Sequence, residues 1–135
     1  MVKTNGATYQ YTKTVLIDHI DALNHVNNVV YIEWINEISE NHWELLSNNK
    51  LNLKYFWVVL KHDVDYFGQA LLGDELVIKT QVKESVGVKS IREVEIYKGN
   101  KLLVKGKTTW CLIDAQTQKP KRINTDIFKI LYPEL

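Results

Sequence analysis

The chain has 135 residues, 45% of them hydrophobic, enough for one domain that buries roughly two-thirds of the surface its unfolded form exposes. A net charge of +1 argues against a protein that grips the nucleic-acid backbone, and the lone cysteine, Cys111, excludes an intrachain disulfide or a cysteine-rich metal centre. Residues 1–8 lack the apolar stretch of a secretory signal, and the longest apolar run, Tyr55 to Leu60, is far shorter than the ~20 residues that span a membrane. These features predict a cytoplasmic protein with one domain over residues 1–135, no membrane association and no nucleic-acid partner.

Residues 8–17 are rich in Thr, Tyr and Val and predict a first strand. A polar segment, Asp18 to Asn28, leads into a helix over Val29 to Leu46. Along it Tyr31, Trp34, Ile35, Ile38, His42 and Leu45 recur at helical spacing, and Ile32, Trp43 and Leu46 widen the apolar arc. So wide an arc suits a helix gripped on several sides by a curved sheet. Glu33, Glu37, Glu40 and Glu44 form a stripe opposite it, which reads as a solvated face rather than an acid–base pair. After a loop over residues 47–54, four strands are predicted: Tyr55–Tyr66, Glu75–Glu84, Val86–Lys98 and Lys101–Asp114. Turns are predicted at Gly73–Asp74, Gly99–Asn100 and Asp114–Pro120, and a short helix over Thr125–Leu131.

The order is strand, long helix, then four strands in the style of an antiparallel meander, which is an α+β class. Nucleotide-binding glycine loops of the GxGxxG or GxxxxGK[ST] type are absent from the sequence. Cys111, His42 and His62 read as packed side chains. The lysines around Lys98 to Lys107 and Lys119 to Arg122 read as solvated ones.

The segment Asp18-His19-Ile20-Asp21-Ala22-Leu23-Asn24-His25-Val26-Asn27-Asn28 holds two Asp, two His and three Asn, and it opens directly into the helix. A helix N-terminus presents unpaired N–H groups and a positive dipole end, which together can hold a developing oxyanion. A nearby carboxylate can attack a carbonyl or deprotonate water. Asp and Asn are also the preferred N-caps and turn formers, so Asn27 or Asn28 serves equally as a cap.

The pattern Asp18-x-x-Asp21-Ala22-x-x-His25-Val26-Asn27-Asn28-x-x-Tyr31 resembles the signature of hot-dog-fold acyl thioesterases, nearest the 4-hydroxybenzoyl-CoA thioesterase-like and acyl-CoA thioester hydrolase groups. Asp65-Tyr66-x6-Gly73-Asp74-Glu75-Leu76 and Asp114-x-x-Thr117-x-Lys119-Pro120 resemble later parts of the same family. The resemblance implies a sheet of about five antiparallel strands wrapped around one long helix. It also implies hydrolysis of an acyl thioester, with water as co-substrate and neither metal nor organic cofactor.

By the same resemblance Asp21 is the nucleophile or general base, and His25 lies beside the thioester. Asn28 supplies the helix-start N–H that polarises the carbonyl, and Asn27 orders the loop or the attacking water. Asn24 stands where the family often has glycine; asparagine is among the few residues that adopt a left-handed conformation readily. Lys89, Ser90 and Arg92 fall where CoA phosphates dock. Protomers pair as a homodimer or homotetramer, bringing Asp21 against the partner around Val58 to Tyr66.

An acyl carrier protein thioester is the alternative substrate to acyl-CoA. A hot-dog protein that binds acyl ligands without turnover is the non-enzymatic alternative. The hot-dog dehydratases carry Pro and Gly beside their histidine, and the segment Asp18 to Asn28 has neither.

Overall fold

Alternation of apolar and polar residues sets the sheet, and the 3.6-residue period sets the helix that covers it. The computed structural model describes residues 4–48, 50–51 and 54–133. Its elements are β1 (Thr8–Thr14), α1 (Asn28–Ser47), β2 (Tyr55–Tyr66), β3 (Glu75–Val86), β4 (Lys89–Lys98), β5 (Lys101–Asp114) and α2 (Thr125–Leu131). A single turn of 3-10 helix, Ile17–His19, lies between β1 and α1. The strands form one five-stranded antiparallel sheet in the order β1-β3-β4-β5-β2. This is the α+β arrangement expected, one sheet around one long helix.

Three expectations need correction. The first strand stops at Thr14 rather than running to Ile17, because the Val15 N–H turns aside to the Asp74 carbonyl (2.9 Å) and the 3-10 turn follows. The third and fourth strands are divided by Gly87, whose φ of 67° makes a turn where an unbroken run from Val86 was expected. The meander holds only for β3-β4-β5; β2 pairs with β5 and forms an outer edge of the sheet. Residues 49, 52 and 53 of the expected loop lie outside the described residues.

Inward positions alternate along each strand: Leu76, Ile78, Thr80 and Val82 on β3; Ser90, Arg92, Val94 and Ile96 on β4; Val104, Thr108, Trp110 and Leu112 on β5. Helix α1 lies on this face with Tyr31, Trp34, Ile35, Ile38, His42 and Trp43 buried. The aliphatic ones among them contribute about 1.5–3 kcal/mol each on burial before the opposing entropy. The helix packs tightly at Gly106, where an added Cβ would lie 2.8 Å from Ile35 Cδ1. Leu45, expected on the apolar arc, is exposed, and the buried stripe runs instead through Ser39 and Ser47. Their hydroxyls are satisfied within the helix, Ser39 donating to the Ile35 carbonyl and Ser47 to the Trp43 carbonyl (both 2.7 Å).

The four helix glutamates are exposed, as expected. Glu37 also ties α1 to β1, accepting from Tyr11 Oη (2.8 Å) and Lys13 Nζ (2.6 Å). Cys111 is a buried thiol, and His62 Nδ1 lies 2.8 Å from Thr108 Oγ1.

Under α1 sits a buried polar pair. Arg92 Nη1 donates to His42 Nδ1 (2.7 Å), and Tyr9 stacks on the imidazole at 5.2 Å between ring centroids. Burial first, then the Arg92 charge, pushes His42 down from its ordinary 6.5 to about 3. Between those values the unfolded chain binds a proton that the folded chain refuses. This contribution to stability is therefore complete above about pH 6.5 and is lost as pH falls. The melting temperature should drop between pH 7.5 and 4.5, and His42→Gln, which does not titrate, should flatten the drop. Parallel melting curves for the two proteins would remove His42 as a cause.

Candidate active site

Between β1 and α1 the chain folds into a short loop closed by an antiparallel bridge between Ile20 and Val26. The Asp21 N–H donates to the His25 carbonyl (2.8 Å), and the Asn24 N–H returns to the Asp21 carbonyl (3.1 Å). Asn24 takes φ 65°, the left-handed conformation that its amide side chain tolerates and most residues do not. Asn24 thus takes the backbone conformation for which the resemblance leads us to expect a glycine.

The Asp21 carboxylate is partly buried inside this loop. Its Oδ1 accepts from the main-chain N–H groups of Leu23 (2.9 Å) and His25 (3.3 Å). Among the described residues no donor meets Oδ2. His25 joins Asp21 through its backbone, not through its ring. Asn27 is the N-cap of α1, its Oδ1 accepting from the Val29 N–H (3.0 Å). Asn28 is the first helical residue, so its own N–H has no acceptor within the helix. Asp21, His25, Asn27 and Asn28 are therefore gathered on one loop and helix start, within a few residues of the Ile20–Val26 bridge.

Three sets of contacts hold the loop in place: the hydrogen bonds of His19, its ring, and Ala70. The Asn27 N–H donates to the His19 carbonyl (2.9 Å), and His19 Nδ1 accepts from the Leu16 N–H (2.9 Å). The His19 ring meets Trp34 edge-on at 5.0 Å. The third comes from the segment after β2, where Ala70 accepts from the Val26 N–H (3.1 Å) and donates to Tyr31 Oη (3.0 Å). Burial raises the Tyr31 phenol above its ordinary value, which keeps it neutral as that acceptor. Sequence reasoning missed the role of residues 67–72. The available signal was Asp74, whose side chain accepts from the Leu71 N–H (2.8 Å) and shapes that loop.

Large apolar side chains stand in solvent here: Ile17 and Leu23 before α1, Val29 in its first turn, and Phe67 and Leu72 on the segment after β2. These exposed apolar groups lie on two segments tied together at Val26 and Ala70.

Lys89, Ser90 and Arg92 are not brought together. Successive strand residues face opposite ways, so Lys89 is exposed while Ser90 and Arg92 are buried under α1. The expected phosphate-docking trio does not exist as one surface patch in this protomer. Among the described residues, no group of three or more His, Cys, Asp or Glu side chains converges in metal-binding fashion. Nor is any described helix long and apolar enough to cross a membrane.

The fold has many solved counterparts. YbaW, a probable thioesterase from Escherichia coli, superposes with a TM-score of 0.81 at 24% identity, covering 90% of this chain and 94% of that one. Slr0204, a 1,4-dihydroxy-2-naphthoyl-CoA thioesterase from Synechocystis, gives 0.77 at 18% identity, covering 92% and 95%. SAV2348, a hypothetical protein from Staphylococcus aureus solved in complex with CoA, gives 0.84 at 16% identity, covering 96% and 83%. At these identities the likeness shows the fold. No curated protein matches the chain. The thioesterase-like superfamily matches residues 15–131, from the end of β1 through α2 and including the Asp21 loop. The chain belongs to the thioesterase-like superfamily and has its hot-dog fold.

Proposed function

We propose that this protein hydrolyses acyl thioesters, acyl-CoA first among them, with Asp21 as the working carboxylate. The observation that carries the reading is Asp21 itself: Oδ1 is fixed by two main-chain N–H groups while Oδ2 has no donor among the described residues, on a loop that runs into the start of α1. Membership of the thioesterase-like superfamily supports the same chemistry.

In this reading the thioester carbonyl oxygen accepts from the Asn28 N–H, aided by the positive end of the helix dipole. Asp21 takes a proton from water as the water oxygen bonds to the carbonyl carbon, or attacks that carbon itself to give an anhydride that water then opens. The carbon–sulfur bond breaks, and the thiolate leaves and is protonated. His25 flanks the thioester, and Asn27 holds the helix start in register. CoA binding by the similar Staphylococcus aureus protein supports a CoA thioester over other carriers.

Strand β2 supports a shared site. It is twelve residues long, has β5 as its one neighbour in the sheet, and carries exposed Leu60 and Tyr66. A long, uncovered edge strand is a template for pairing with another chain. Two copies joined along β2 extend the sheet and cover the apolar groups around Asp21.

Two outcomes are expected. Asp21→Asn should keep its fold and lose at least ~10²-fold in thiol release from a panel of acyl-CoAs, the scale of losing a general base. Near-normal turnover would take the role from Asp21. The wild type should scatter light as a dimer or larger assembly, and Leu60→Glu should dissociate it with loss of activity. A fully active wild-type monomer would refute the shared site.

A further inference from the structure

Arg92 presents an unusual problem in physical chemistry. It is 5% exposed and has no carboxylate partner among the described residues. Its Nη1 is taken up by His42 Nδ1 (2.7 Å) and Thr80 Oγ1 (3.2 Å), both neutral groups. Its Nε and Nη2 have no acceptor among the described residues. A guanidinium stays charged inside a protein, so the interior holds a cation without a counter-ion.

The same residue lines a cavity of about 230 Å³ between the C-terminal half of α1 and the sheet, bounded by Ser39, Trp43, Trp57, Ser90 and Trp110. Trp43 and Trp57 meet edge-on at 5.5 Å and form an aromatic wall. The buried indole N–H groups of Trp43 and Trp110 also lack acceptors among the described residues. Those two N–H groups are closed off from the cavity, so what its wall offers is one unpaired positive charge set among flat apolar surfaces. Buried donors are ordinarily satisfied, and Arg92 Nε and Nη2, which no described residue takes up, point to a missing acceptor.

We propose that this cavity is a binding site for the carboxylate of a small aryl acid. A carboxylate is acceptor-only, matches the guanidinium fork and neutralises its single charge. A cavity of ~150 Å³ accepts benzene, so this one has room for a ring and its carboxylate. Glu40 and Glu44 stand exposed at the solvent rim and disfavour a polyanion such as a phosphate. The site is separate from Asp21 within the protomer: Ser39 and Trp43 lie 11 and 15 residues along α1 from Asn28, roughly 16–22 Å at helical rise.

The carboxylate can come from a free acid or from the far end of an acyl group delivered across a protomer boundary. The first experiment is a tryptophan-fluorescence titration of wild-type protein with benzoate and with benzamide, its neutral isostere. Benzoate should saturate in the millimolar range or below, and benzamide should bind at least ~10-fold more weakly, the worth of one charge-assisted bond. Arg92→Gln should lose the benzoate signal, and Asp21→Asn should keep it. No saturable benzoate signal in wild type, or equal affinity for benzamide, overturns the proposal without any need for a folded variant. So does unchanged benzoate binding by Arg92→Gln.

Because this titration reads binding alone, it stands or falls apart from thioester hydrolysis. A second arm, which does rest on hydrolysis, compares benzoyl-CoA with 4-carboxybenzoyl-CoA. A preference for the carboxylated thioester that vanishes in Arg92→Gln supports the site and assigns it to the acyl group. Equal turnover alongside benzoate binding supports the site and assigns it to a free acid.

Discussion

The contact between α1 and the sheet at Gly106 organises the rest of the molecule. Ile35 reaches the β5 backbone there because position 106 has no side chain. With the helix that close, Tyr31, Trp34, Ile38 and Trp43 bury on the inner face of β3, β4 and β5. The helix axis then fixes both chemical features. Its N-terminus carries the Asp21 loop, and its C-terminal half roofs the cavity that Arg92 lines. One buried stripe thus positions the Asp21 loop at one end and the Arg92 cavity at the other. Strand β2, beyond β5, is left with an open edge.

Polar groups decide how rigid each end is. The Asp21 loop is held almost wholly by main-chain bonds, from Ile20–Val26 through Asp21–His25 to Val26–Ala70. A carboxylate fixed by the backbone needs no further side chain to aim it, and the His25 ring makes no bond to Asp21. At the other end the bonding is incomplete. Burying an unpaired charge costs several kcal/mol. That cost is tolerable in a working protein if a bound anion offsets it, which is the physical ground for treating Arg92 as more than a core residue.

Much of this was legible in the residues. The bounds of β2, β5 and α2 follow from their turns and patterning, and the helix from Tyr31, Trp34, Ile35 and Ile38. The Asp21 motif stood out because Asp, His and Asn rarely crowd together just before an apolar helix without a reason. The misreadings have physical causes. Val15-Leu16-Ile17 continues a strand-like pattern, and only the distant Asp74 carbonyl, which takes the Val15 N–H, turns the chain. Gly87 within Ser85-Val86-Gly87-Val88 looks like a glycine inside a strand until its positive φ is known. The place of β2 beside β5 depends on pairing across some fifty residues, which no local pattern encodes. Arg92 was within reach: it shares parity with Val94 and Ile96, and strand alternation alone places it on their buried face, away from Lys89.

The most direct test of the central claim is a crystal structure of Asp21→Asn with a non-hydrolysable acyl-CoA analogue. The account predicts the carbonyl oxygen within roughly 3 Å of the Asn28 N–H, its carbon facing residue 21, and the partner's β2 closing over the acyl group. An analogue held elsewhere, with the helix start empty, would contradict it.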